Sequence, residues 1–233
     1  MATYPPAKGI KQTSRIAIVT VLLLLFALPL VAYLFFLNGE HHFKTLPIVT
    51  QQVGNLSEFQ SLDGSELQLK DSVTVLNFLG HRPYDRLGYI SNINDKVYKD
   101  FHEFNNFQMI SIVSEQGLKD VQEVVLQMKE NTDMSDWHFV TASDQQISEF
   151  FEALQTDLEL NKDFSSDYVF IIDKNASLRG RTDDPDQGMV YGYDSSLVAH
   201  LNKRMVDDMR VLLAEYRFAF KKNRDQKLQK DGS

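Results

Sequence analysis

One stretch stands apart in its pattern of apolar and polar positions. Residues 16–37, IAIVTVLLLLFALPLVAYLFFL, run for 22 positions without a charge. As a helix they span about 33 Å, enough for the ~30 Å hydrocarbon core of a bilayer. Pro29 removes one backbone hydrogen bond, which membrane helices tolerate. Tyr33 falls where an interfacial ring is favoured. The apolar core is longer than that of a cleaved signal peptide, and no A-x-A-like site closes it, so the segment reads as an uncleaved anchor. Lys8, Lys11 and Arg15 precede it. That places residues 1–15 in the cytoplasm and everything after Asn38 across the membrane.

Beyond a linker at 38–54, the pattern becomes that of a folded domain over 55–222. Two short alternating runs, 56–62 and 66–69, flank Asp63-Gly64 and predict a β-hairpin. Val73 to Leu79 is a β-prone run, as expected of a strand buried on both faces. Leu87, Ile90, Ile93, Val97, Phe101 and Phe104 recur at helical spacing and predict a helix over 87–104. A strand over 107–113, a helix over 118–128 and a strand over 137–140 follow. Ser143 can cap a helix whose apolar face is Ile147, Phe150, Phe151 and Leu154. Residues 168–172 form another strand, and 182–194 read as a polar loop containing glycine. Asp194 or Ser195 caps a last helix, along which Leu197, Leu201, Met205, Met209, Leu212, Tyr216 and Phe220 recur. From Arg217 on, six basic residues face two acidic ones, and 223–233 read as a flexible basic tail.

Strands alternating with helices imply parallel βαβ units with helices on both faces of a sheet. The closing β-β-α pattern adds antiparallel strands. The expected fold is α/β, a thioredoxin-like three-layer sandwich with one N-terminal transmembrane helix. Such a fold carries its active segment on the turn after the first core strand.

Composition narrows the chemistry. The net charge is −8, and beyond residue 37 the balance is 21 basic against 32 acidic residues. An acidic body argues against nucleic acid as a partner. The chain has no cysteine. That excludes disulfides, thiol nucleophiles and thiolate metal sites.

The body resembles the Sco proteins, membrane-anchored thioredoxin-like copper chaperones of cytochrome c oxidase, over roughly residues 46–220. Leu46-Pro47, the Asp63-Gly64 turn, the strand ending Asn77-Phe78-Leu79-Gly80 and Ile110-Ser111-Ile112-Val113 carry the likeness. So do Trp137-His138-Phe139-Val140-Thr141, Tyr168 to Asp173, and Leu178-Arg179-Gly180. The resemblance implies a C-P-x-x-C-P copper segment after the first core strand, and a ligand His before the strand at 168–172. This chain has neither: the cysteine positions fall at Pro83 and Leu87, and 163–167 reads Asp-Phe-Ser-Ser-Asp. The family chemistry therefore transfers to no residue.

His81, beside Arg82, Tyr84, Asp85 and Arg86, is the best remaining candidate, since a His with an Asp can act as an acid–base pair. His41-His42 lack a nearby third ligand and read as polar linker. Asp183, Asp184 and Asp186 lack the glycine and distal Glu of a calcium loop. Asn55-Leu56-Ser57 and Asn175-Ala176-Ser177 match N-x-[ST].

The expectation is a non-enzymatic Sco-like domain, without a cofactor, tethered by residues 16–37 to a bacterial inner membrane and facing the periplasm. It acts by binding a membrane or periplasmic protein, in respiratory oxidase assembly. The expected partner surface is His81, Arg82, Tyr84, Asp85, Arg86, Asp183, Asp184 and Tyr191. The alternatives are an enzyme or metal binder rebuilt around His81 and Asp85, and a structural subunit of a membrane complex.

Overall fold

The computed structural model describes residues 14–37 and 45–231. Lys8, Lys11, His41, His42 and the last two residues lie outside them, as does the side chain of Phe220. The apolar run forms α1 (Arg15–Leu37). Ser14 Oγ accepts the Ala17 amide at 3.2 Å and caps it. Among the described helices, α1 alone is long and apolar enough to cross a bilayer.

Lys44–Ser233 is a separate compact unit. Every described buried hydrophobic residue lies between Leu46 and Leu212, so this unit completes its core without α1. Its strands are β1 (Ile48–Thr50), β2 (Gln60–Ser61), β3 (Val73–Gly80), β4 (Phe107–Ser114), β5 (Trp137–Ala142), β6 (Ser165–Ile172), β7 (Leu178–Arg179), β8 (Arg181–Asp184), β9 (Gly188–Val190) and β10 (Tyr193–Asp194). One sheet runs β1-β7-β6-β3-β4-β5-β2, with β10 added to β6, while β8 and β9 pair as a separate hairpin. β3, β4 and β5 are parallel, and β6 is antiparallel to β3.

The helices are α2 (Leu87–Ile93), α3 (Lys99–Phe101), α4 (Leu118–Lys129), α5 (Asp144–Glu152), α6 (Val198–His200) and α7 (Val206–Asp231). On one face of the sheet, Val75, Met109, Trp137 and Ile171 pack with Ile93 of α2, Val121 of α4 and Met209 of α7. On the other, Phe78, Ile112 and Phe170 pack with Ile147 and Phe151 of α5. This two-sided burial leaves every residue of β3 and β4 buried, the polar Thr74, Asn77, Gln108 and Ser111 included. The result is the expected thioredoxin-like three-layer sandwich. Ser143 caps α5, in a reciprocal box with Gln146.

Two helical runs carry apolar residues four apart, Ile93-Val97-Phe101 and Leu201-Met205-Met209, and all six are buried. At 3.6 residues per turn such a row drifts around the helix. Each run contains a wider π turn, Asn94–Tyr98 or Leu201–Met205, which turns the row back toward the sheet.

The structure corrects several boundaries. The runs at 56–62 and 66–69 do not pair with each other. The turn forms, with Gly64 at φ +77°. However, Asp63 is held by Ser61, Ser65 and His138, and Gln108 Nε2 donates to the Gln68 carbonyl at 2.8 Å, which draws that arm toward β4. β2 pairs with β5 instead. The helix expected over 87–104 starts in a 3₁₀ turn at Pro83–Arg86, and its last helical element, α3, ends at Phe101. The loop expected over 182–194 contains the β9 strand and β10. Leu197 precedes α6, where the final helical run opens, and neither expected cap serves it: Asp194 accepts from Ser196, and Ser195 Oγ donates to the Asp167 carbonyl. Helical backbone continues to Asp231, through most of the stretch read as a tail.

Candidate functional site

The turn after β3 begins at Gly80, which sits at φ +65°. A Cβ there would lie 2.1 Å from the Asp163 carbonyl oxygen, so only glycine permits this approach. The next amide, His81 N–H, donates to that same carbonyl at 2.8 Å. Pro83 then opens the 3₁₀ turn, where its missing N–H is not needed.

His81 does not pair with Asp85. Its Nε2 lies 2.9 Å from Asp144 Oδ1, and its ring packs on Phe164 at 5.2 Å. Asp144 is the first residue of α5, where a carboxylate suits the helix dipole. It also accepts from Ser114 Oγ at 2.7 Å and Gln116 Nε2 at 3.1 Å. Asp85 is engaged by its helical neighbour Arg82 at 3.3 Å, on the surface. The expected His81–Asp85 acid–base pair is therefore not assembled.

Arg86 points inward. Its guanidinium donates to Asp167 and to Ser165 Oγ and lies 4.8 Å from the Tyr89 ring centroid. Ser165 Oγ donates to Asp163 at 2.6 Å. Burial works to raise the Asp163 carboxyl pKa, but the Ser165 hydrogen bonds and the Arg86 charge outweigh it and hold the group below the usual range. The Asp167 carbonyl accepts from Ser195 N–H and Oγ, and Asn92 donates to the Ser195 carbonyl at 3.0 Å. The turn, the start of β6 and the segment after β10 are thus tied together.

The rest of the expected surface is placed differently. Asp184 is buried and receives Arg181 at 3.1 Å and Arg204 at 3.3 Å. Burial alone would raise its pKa, but the amides of Asp186 and Gln187 and the two arginines hold it below the usual range. Asp208 joins the cluster, accepting from Arg181 Nε at 2.8 Å and Tyr193 Oη at 2.7 Å. Burial and that carboxylate push the Tyr193 hydroxyl well above its ordinary pKa. Asp186 pairs with Arg204 at 2.6 Å, so these aspartates serve arginines rather than forming an acidic cage. Asp183 lies in β8, and Tyr191 packs half-buried on the α5-side core. Among the described residues, no group of three or more His, Asp or Glu is arranged to hold a metal.

A cuprous ion prefers soft thiolate donors. Pro83 and Leu87 offer none, and 161–167 contains no His. The residues at this turn do not fit copper. Sequence reasoning missed Asp144, Ser114 and Asp167 as partners of the turn.

No family model matches the sequence, and no curated protein does. Solved structures do match the fold. BsSco, described as a member of the Sco family of cytochrome c oxidase assembly proteins with a disulfide switch, has a TM-score of 0.50 at 15% identity, over 71% of this chain and 94% of its own. The soluble domain of Sco1 from Bacillus subtilis gives 0.46 at 14%, over 73% and 97%. Yeast Sco1 gives 0.39 at 14%, over 68% and 92%. The chain has the thioredoxin-like fold of Sco proteins, the family its sequence resembles, and it has no cysteine.

Proposed function

We propose that this chain is a membrane-tethered, non-catalytic Sco-like domain that acts by binding a protein partner through the turn after β3. In this reading α1 is a single-pass anchor of a bacterial inner membrane, with the N-terminus cytoplasmic and the domain periplasmic. The basic residues before α1 support that orientation. The process served is respiratory oxidase assembly, by analogy with what BsSco is described as doing.

One observation carries the reading. The turn where this fold does its chemistry has no thiol, and His81 and Arg86 are engaged in tying it to α5 and β6. Arg82, Asp85 and Tyr84, the last 46% exposed, are left facing solvent. A rigid turn with an outward aromatic and a mixed-charge pair is suited to recognition. The expected result of an anaerobic Cu(I) titration and a disulfide-reductase assay is no tight binding and no turnover. Stoichiometric tight Cu(I) binding that disappears in His81→Ala would overturn the reading.

A further inference from the structure

The chain that follows α1 enters the folded unit at Leu46, its first buried apolar residue, and the entry is clamped. Arg179, buried in β7, donates from Nε to the Leu46 carbonyl at 2.8 Å. Glu215 of α7 accepts the Leu46 amide and also receives Arg179 Nη2 at 2.6 Å. Both backbone polar groups of Leu46 are thus fixed, one of them by the last helix. Nine residue steps separate Leu46 from Leu37, the last residue of α1. Fully extended, they reach at most about 32 Å.

Just beyond Glu215 the character of α7 changes. Tyr216 still packs on the core and accepts the Lys174 amide, whereas Arg217, Phe218 and Ala219 are exposed. The helical backbone runs on to Asp231, about 22 Å further. Residues 38–216 carry 15 basic and 30 acidic residues, but 217–233 carries six basic and two acidic. Arg217, Lys221, Arg224 and Lys227 follow at spacings of four and three, positions that share one face of a helix. Phe220 and Leu228 fall on the same face by position. A helix with this interleaving of basic and apolar positions complements an anionic lipid surface.

We propose that this C-terminal extension of α7 binds the anionic phospholipid surface of the membrane that holds α1, as a second attachment beside the anchor. Charge selects the occupant. The acidic body is repelled by such a surface, and 217–231 is of the opposite sign. Chain length selects it too, because the clamp starts the extension at the point where the short tether enters. A tethered segment meets the headgroups at a high effective concentration. The inference rests on the reading of α1 as an anchor, and it is independent of what the turn after β3 binds.

The unit Lys44–Ser233, complete in its own core, is sedimented with vesicles of phosphatidylcholine alone and of equal parts phosphatidylcholine and phosphatidylglycerol. The expected result is binding to the anionic vesicles only, lost at about 1 M salt, where the screening length falls to about 3 Å. Ending the chain after Ala219 removes no described core residue and should abolish binding. Lys221→Gln, Arg224→Gln and Lys227→Gln together should weaken it more than about tenfold at an unchanged melting temperature. No binding to anionic vesicles, equal binding to neutral ones, or full binding by the shortened chain would overturn the proposal. So would self-association that the shortening removes, because the extension would then belong to the acidic body of a second copy. The anchor is tested apart, by alkaline extraction of the full chain from native membranes. Release into the soluble fraction would overturn the anchor and, with it, the membrane named here, whereas the vesicles alone decide whether the extension binds anionic lipid.

Discussion

The turn at 80–88 and the hairpin segment at 181–194 both look like polar loops rich in charge, and from sequence they share one expected surface. Their charges end in opposite places. In the turn, Arg82 and Asp85 pair at the surface, and only Arg86 goes inward. In the hairpin, Asp184 is buried against Arg181 and Arg204, with Asp208 and Tyr193 behind them. A surface pair contributes little to stability and remains available to a partner. A buried pair holds the fold, because removing one member strands the other. The hairpin is therefore a brace between β10 and the last helix, whereas the turn keeps Arg82, Tyr84 and Asp85 at the surface.

The largest expected effect tests the brace. Asp208→Ala leaves Arg181 Nε and the buried Tyr193 hydroxyl without their acceptor, while Arg181 keeps Asp184. It should cost about 2–4 kcal/mol, read as a lowered urea midpoint with unchanged slope. A cost within the range of ordinary surface substitutions would place the cluster outside the core.

Acid should act on the same cluster next. Asp184 is held below its ordinary value of 3.8, so it binds protons less readily folded than unfolded. Its contribution is fully present above that value and is lost as the pH falls through the folded pKa. The melting temperature should fall as the pH drops below the ordinary carboxylate range, and Asp184→Asn should flatten that fall while lowering stability at neutral pH.

A smaller change is expected at the turn. His81→Ala leaves Asp144 with Ser114 and Gln116 as donors, so the loss should be about 1 kcal/mol. A loss as large as that of Asp208→Ala would make the turn a brace too. The smallest effect belongs to Tyr84→Ala, which should leave the melting temperature nearly unchanged, because the side chain is exposed.

The same contrast explains what the sequence disclosed. Strand β3, strand β4, helix α4 and the Ser143 cap are legible, because burial on both faces and capping leave local signatures. The buried row Leu201, Met205, Met209 and Leu212 is legible for the same reason. The register of β2 was not, since alternation shows which side is buried but not which strand pairs. His81 with Asp144, 63 residues apart, and Arg86 with Asp167, 81 apart, leave no local mark. Nor does the burial of Asp184, which depends on Arg204 from the π turn before α7.

The central claim is that the turn recognises a protein. It is tested most directly by quantitative co-purification from native membranes with the full chain, comparing the parent with a Tyr84→Ala, Arg82→Glu double variant of equal melting temperature. The account predicts that a defined set of membrane proteins accompanies the parent in constant proportion and is lost from the variant. The same set retained by both, or none retained by the parent, would contradict it.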